Sequence, residues 1–178
     1  MTCLTNGLWG RFRIMNKLLK LNNLIKKVRD IKNENKKIGF CYGVFDLLHP
    51  GHVRHLEEAK KFCDVLIVGI TPDKQVKKRK GPNRPIFNES LRAYLISQLK
   101  PVDFVFIRSR NTAIGDIKAI KPDFCIKGED YLNSKDRYLF LEAKAAESVG
   151  GKMIFTKTGR FAKIKTTKIM NQLESDKI

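Results

Sequence analysis

Residues 43–52 read GVFDLLHPGH, and every histidine of the chain lies in or just after this stretch: His49, His52 and His55. His49 and His52 are three apart across Pro50 and Gly51, so their rings can face one cleft at a strand-to-helix turn. Proline suits the first position of a helix. A helix starting at Pro50 aims free backbone N–H groups and its positive dipole end at that cleft. Gly43 lets a ligand approach the backbone closely. Two imidazoles at a helix N-terminus make an anion site, and polyphosphate is the natural guest. A metal pair is the rival, weakened because no third histidine or carboxylate completes a ligand set at the usual spacing. A satisfied structural histidine is the plainer alternative. It suits His55 best, since His55 sits further along the helix. Asp46 has two readings: it caps the turn by accepting backbone N–H bonds, or it orients an acceptor or a metal-bound water.

These residues need elements to hold them. Residues 36–43 form a short apolar run ending in glycine, a buried strand. The helix from Pro50 carries Leu56, Ala59 and Phe62 on one face. Residues 64–70, DVLIVGI, are an unbroken apolar run of the parallel-sheet kind. Residues 71–85, TPDKQVKKRKGPNRP, are rich in proline and lysine and read largely as loop. Asn88 is the expected N-cap of a helix through Leu99. Further strands are expected over 102–107, 123–127 and 152–156, with helices near 112–120 and 137–148 and a last one from about Thr166. Strands alternating with helices predict an α/β fold with a parallel sheet and right-handed crossovers. Ligands of such sheets bind outside the carboxyl ends of the strands.

The 178 residues suit one domain. We expect residues 1–15 to be a loose N-terminal extension and 16–178 a single domain. The basic start has the composition of a transit peptide but few serines. An amphipathic helix from about Asn16, with Leu18, Leu21, Leu24, Ile25, Val28 and Ile31 at helical spacing, is the preferred reading. The net charge of +18 favours anionic partners such as nucleotides, sugar phosphates, nucleic acid or acidic membranes. A lysine bias spread over solvated faces gives the same number. Cys3, Cys41, Cys63 and Cys125 form no CxxC pair. The last three lie in or beside apolar runs, which predicts buried free thiols and a cytoplasmic setting. No apolar run approaches the ~20 residues of a membrane span.

The stretch GVFDLLHPGHVRHLEEAK resembles the signature of the cytidylyltransferase-like nucleotidyltransferase superfamily, whose His-x-Gly-His motif follows its first strand. Lys80 to Pro85, Leu91-Arg92, Val102-Asp103, Lys127 to Tyr131 and Gly150-Gly151 keep the order and spacing of its heptose 1-phosphate adenylyltransferase branch. The likeness covers roughly residues 35–175. It implies a Rossmann-like open parallel sheet flanked by helices, with an N-terminal helix.

By that resemblance, an acceptor phosphate attacks the α-phosphate of a nucleoside triphosphate in line and pyrophosphate leaves. His49 and His52 would stabilise the phosphates. Lys80, and Lys77 with it, would reach the triphosphate from the loop after the second strand. Arg92 would stand near the phosphates or the acceptor. The resemblance places Gly43, Val44, Phe45, Lys127, Gly128, Asp130 and Tyr131 around the nucleotide. Thr166 and Thr167 match two positions of a hydroxyl-rich run that contacts the triphosphate, and Lys165 stands where a serine is usual. Mg²⁺ would arrive with the nucleotide, bridging phosphate oxygens with no dedicated protein ligands. ATP and CTP are both used in the superfamily, and a glycerol 3-phosphate cytidylyltransferase remains an alternative. The expected partners are the nucleotide, a sugar or polyol phosphate, a separate sugar kinase upstream, and a second copy of the chain if relatives' dimers are shared. The product would be a nucleotide-activated sugar for surface glycan synthesis. A basic nucleic-acid-binding module is the rival class; Lys74 to Lys80 would be its patch, but no interleaved aromatic platform accompanies it.

Overall fold

The computed structural model describes residues 17–110, 112–134, 136–164 and 166–175. The expected extension 1–15, Asn16 and Lys165 lie outside the described residues. The elements run α1 (Leu21–Asn33), β1 (Ile38–Gly43), α2 (Pro50–Lys60), β2 (Val65–Ile70), α3 (Asp73–Lys80), α4 (Glu89–Ser97) and β3 (Phe104–Ile107). Then come α5 (Ile114–Ile120), β4 (Phe124–Gly128), α6 (Arg137–Glu147), β5 (Lys152–Thr156) and α7 (Thr166–Ser175). One-turn 3₁₀ segments cover Glu129–Tyr131 and Gly159–Lys163.

The five strands form one parallel sheet in the order β3-β2-β1-β4-β5. The chain steps outward from β1 through β2 to β3, then returns to build β4 and β5 on the other side. The crossovers therefore diverge between β1 and β4, which opens a crevice at the carboxyl ends of these two strands. This is the expected Rossmann-like α/β fold. Both sheet faces are covered, which is why the strands read as apolar runs rather than alternating ones. Phe40, Tyr42 and Phe106 pack on α1, α5 and α6 through Leu24, Val28, Ile117 and Ala146. Cys41, Val68 and Ile70 pack on α2 and α4 through Leu56, Ala59, Ala93 and Ile96.

Four local expectations change. The first helix begins at Leu21, not near Asn16. Residues 17–19 instead run beside β3, where Val105 N–H donates to Lys17 O at 2.8 Å and Leu19 N–H to Val105 O at 2.9 Å. β3 is an edge strand, and this segment satisfies its outward backbone groups. Leu18 is thus outside the helical stripe and exposed.

The stretch read as loop holds α3. Pro72 precedes it, Val76 is wholly buried under it, and the Glu89 carboxylate accepts the Asp73 N–H at 2.7 Å. Its basic residues fill the last turn, where the helix dipole favours cations. Gly81, at φ +93°, ends it. Phe62 falls after the end of α2 and is exposed, whereas Leu56 and Ala59 face the core. Cys41 and Cys125 are buried free thiols, but Cys63 is only half-buried. Asn88 caps α4 as expected, accepting from Leu91 N–H at 3.0 Å. No described helix is long and apolar enough to cross a membrane.

Candidate active site

A cleft of about 350 Å³ opens at the carboxyl ends of β1 and β4. From the β1–α2 turn it is lined by Gly43, Val44, Phe45, Asp46, His49 and His52. Lys80 and Arg79 reach it from the end of α3. Lys127, Gly128, Asp130 and Tyr131 line it after β4, and Thr166 and Thr167 at the start of α7. These four segments of the chain thus meet at one site.

His49 is itself the N-cap of α2, with extended backbone, and Pro50 takes the first helical position. Among the described residues no side chain caps this terminus. The rings of His49 and His52 stack with centroids 3.7 Å apart and 22° between planes. Phe45 meets the His52 ring edge-on at 5.2 Å. Gly51 between them has no room for a side chain: a Cβ would meet the His49 ring and the Phe161 carbonyl at 3.0 Å. The Nδ1 atoms of both histidines are buried without a hydrogen-bond partner among the described residues. Burial lowers the pKa of His49, and burial with the neighbouring His49 and His55 lowers that of His52 to about 3. Both imidazoles are therefore neutral near pH 7. Their unused polar atoms carry a desolvation cost that an anion in the cleft would relieve.

Lys80 keeps solvent exposure at the rim of the cleft, and desolvation there, with Arg84 beside it, lowers its pKa. Arg84 Nη2 lies 2.7 Å from Asp46 Oδ2, and Asp46 Oδ1 accepts the Ile86 N–H at 2.7 Å. Asp46 is 2% exposed. Its carboxylate therefore ties the segment after α3 to the floor of the cleft. The Asp46 side chain accepts a backbone N–H, but from Ile86 rather than from its own turn.

Lys77 and Arg92 do not reach the cleft. Lys77 points outward from α3. Arg92 is fully buried. Its Nε donates to the Phe87 carbonyl at 2.9 Å, its Nη1 to the Val44 carbonyl, and its Nη2 to Thr71 O at 2.8 Å and Asp73 Oδ1 at 2.6 Å. The fork braces the ends of β1 and β2 from beneath the site, since Val44 and Thr71 both line the cleft.

Lys127 is buried at the end of β4, with its ammonium 3.6 Å from the Tyr42 ring centroid, 5.0 Å from that of Tyr131 and 3.6 Å from Glu142 Oε2. Burial lowers its pKa, and Glu142 opposes that shift. Tyr42 donates its O–H to the same Glu142 oxygen at 2.6 Å. Gly128 leaves space for Asp130, whose Oδ1 would lie 2.6 Å from a Cβ there. Glu129 Oε1 accepts the N–H and O–H of Thr158 at 2.7 and 2.5 Å, fastening the Gly159–Lys163 turn over the site. Thr166 Oγ1 lies 3.4 Å from Leu47 O, a long contact.

The sequence reading missed Tyr42, Glu142, Arg79 and Thr158, and it demoted His55, which lines the cleft. Only His55 carried a signal, being three residues from His52 on the same helix face. Among the described residues no group of three histidines, cysteines or carboxylates is placed to hold a metal ion.

A family model described as cytidylyltransferase-like matches residues 40–172. The bifunctional protein HldE of Hyphomonas neptunium is 42% identical over 137 residues, 77% of this chain and 27% of that protein. HldE of Helicobacter pylori is 44% identical over 116 residues, 65% of this chain and 25% of that protein. The chain thus spans about a quarter of the length of the curated relatives it matches. Among solved structures, the lipopolysaccharide core biosynthesis protein from Thermoplasma volcanium aligns with TM-score 0.58 at 30% identity, over 68% of this chain and 97% of that one. Pantothenate synthetase from Thermus thermophilus shares the fold, with TM-score 0.57 at 12% identity over 79% and 61% of the two chains. These relatives bear out the resemblance read around HPGH, and the chain belongs to the cytidylyltransferase-like family.

Proposed function

We propose that the protein transfers an adenylyl group from ATP to the phosphate of a sugar phosphate, in the manner of a heptose 1-phosphate adenylyltransferase. The observation that carries this reading is the stacked His49–His52 pair at the uncapped N-terminus of α2, faced by Lys80 across the cleft. The match to relatives named HldE supports the heptose-phosphate reading, and the neighbour described as a lipopolysaccharide core biosynthesis protein supports a product destined for surface glycan.

An acceptor phosphate oxygen forms a bond to the α-phosphorus as the bond to the β-phosphate oxygen breaks, and pyrophosphate leaves. The chain's part is positioning and charge stabilisation. His49 and His52 donate to phosphate oxygens as charge builds on them. Lys80 and Arg79 neutralise the departing pyrophosphate. Lys127, Gly128, Asp130 and Tyr131 hold the nucleoside end, and Thr166 and Thr167 offer hydroxyls to the phosphates. Arg92 acts through Val44 and Thr71 and fixes the floor. Mg²⁺ fits this site only as a ion carried by the triphosphate: Asp46 is already engaged by Arg84 and Ile86, and the ion would screen the phosphate charge. Since the attacking atom belongs to a phosphate, a kinase reaction must first supply the phosphorylated sugar.

The test is a product analysis by phosphorus NMR, with ATP or CTP, Mg²⁺ and a panel of sugar and polyol phosphates. A nucleoside diphosphate sugar and pyrophosphate from ATP with a heptose 1-phosphate support the reading. Turnover only with CTP and glycerol 3-phosphate would replace it. No product with any pair would end it.

A further inference from the structure

Glu142 does not line the cleft, yet its carboxylate is buried just behind the wall. It shares the buried face of α6 with Ala145 and Ala146. Its Oε2 accepts the Tyr42 O–H at 2.6 Å, and its Oε1 accepts the Ala113 N–H at 3.4 Å. The carboxylate is thereby fastened to β1 and to the start of α5. Burial, with Glu142 beside it, pushes the Tyr42 phenol up, so Tyr42 stays protonated and keeps donating. The Lys127 ammonium stands 3.6 Å from the same Oε2 and 3.6 Å from the centroid of the Tyr42 ring.

Lys127 does line the cleft. Around it stand Cys41 and Tyr42 of β1, Cys125 of its own strand, Arg108 just past β3, Glu142 of α6 and His55 of α2. Asp130 and Tyr131 line the same wall after β4. Burial keeps both thiols protonated, and it keeps His55 neutral near pH 7 by lowering its pKa to about 4. Arg108 is paired with Asp116 at 2.8 Å. Burial pulls the pKa of Lys127 down, Glu142 opposes this, and Arg108 adds to the lowering. The Tyr42 and Tyr131 rings add cation–π attraction. A buried ion pair adds little stability over packed apolar residues of the same volume. The effect of this one is on charge: without the carboxylate, a lysine in such surroundings gives up its proton more readily.

Resting on the nucleotidyl-transfer reading, we infer that Glu142 is a positioning residue for that reaction: fastened by Tyr42 and Ala113, it holds Lys127 in place as a cation in the wall of the cleft, where the ammonium attracts the bound nucleotide. Glu142 acts through Lys127 and touches no substrate.

The experiment is calorimetric titration of ATP with Mg²⁺ into the full chain between pH 6 and pH 8.5. The proteins are the wild type, Glu142→Gln, Glu142→Asp and the double variant Lys127→Arg/Glu142→Gln. Titration of the histidines, of Lys80 and of ATP itself is common to all four, so it cancels in the ratio of each variant's affinity to that of the wild type. Glutamine keeps the shape and an acceptor for Tyr42 but removes the charge. The deficit of Glu142→Gln should widen by about tenfold from pH 6 to pH 8.5, the loss of one charged donor. In the double variant the guanidinium stays charged, so its deficit should not change with pH. Glu142→Asp draws the charge back by one methylene and should widen the gap in the same direction by less. It carries the test if the glutamine variant does not fold. A deficit that is constant with pH in both Glu142 variants overturns the inference, since damaged packing weakens binding equally at every pH. A double variant whose deficit widens as much as that of Glu142→Gln overturns it too, because the titrating group is then not Lys127. A wild type that binds no ATP at any pH overturns the nucleotide reading and this inference with it.

Discussion

The imidazoles of His49 and His52 stack with centroids 3.7 Å apart, and burial lowers the pKa of both, which keeps them uncharged near pH 7. A pair in this state is primed to respond to an anion. Phosphate charge beside the rings opposes the desolvation that depresses their pKa values, so polyphosphate binding should draw protons onto them. Affinity for tripolyphosphate should rise as pH falls from 8 to 6, with net proton uptake seen by calorimetry in buffers of different ionisation heat. The uptake should shrink in His52→Phe. Equal uptake in both proteins would show that the ligand, not the histidine pair, takes the proton.

Lys80 and Lys77 belong to one helix turn but to different surroundings, since only Lys80 lines the cleft. Lys80→Ala should lower turnover by about tenfold or more, as loss of a charge aimed at the phosphates does. Lys77→Ala should stay within about twofold. Steady-state kinetics on the pair measures the contrast, and equal losses would favour a diffuse basic field over a placed cation.

Arg92 serves four acceptors from full burial. Arg92→Met should cost about 3 kcal/mol or more, because carbonyls and the Asp73 carboxylate lose their donor. Urea unfolding reads this as a lower midpoint. Arg92→Lys should recover only part of it, because one ammonium cannot reproduce the fork. A midpoint unchanged in Arg92→Met would contradict the brace.

Much of this arrangement is legible in the sequence. The apolar runs at 38–43 and 65–70 announce strands buried on both faces, and the alternation with helices announces the parallel sheet. The HPGH turn announces an anion site because proline, glycine and paired histidines each have a local reason to be there. What escapes is non-local. A single buried valine, Val76, anchors α3, too little for a periodic signal. The burial of Arg92 depends on carbonyls contributed by residues 44, 71 and 87, which no local pattern displays. The contact of His55 Nδ1 with Thr156 Oγ1 joins residues 101 apart in the chain.

Stability should fall with acid before the carboxylates titrate. An unfolded histidine has a pKa near 6.5, whereas folded His52 and His55 sit at about 3 and about 4 because they are buried. Above pH 6.5 neither state binds these protons, and the histidines add no slope. Between pH 6.5 and about 4 the unfolded chain binds protons that the folded one refuses, so stability declines as pH falls. The melting temperature should drop from pH 6.5 to 5, and His55→Phe should flatten that limb. A limb of unchanged slope in the variant would place the acid sensitivity elsewhere.

The central claim is that His49 and His52 stabilise the transferring phosphates. The most direct measurement is acceptor-dependent pyrophosphate release from ATP by the wild type, His49→Ala and His52→Ala, each shown by circular dichroism to be folded. Each variant should lose about 10²-fold or more in kcat, as when one transition-state donor is removed. Variants that remain folded and turn over within about threefold of the wild type would contradict it.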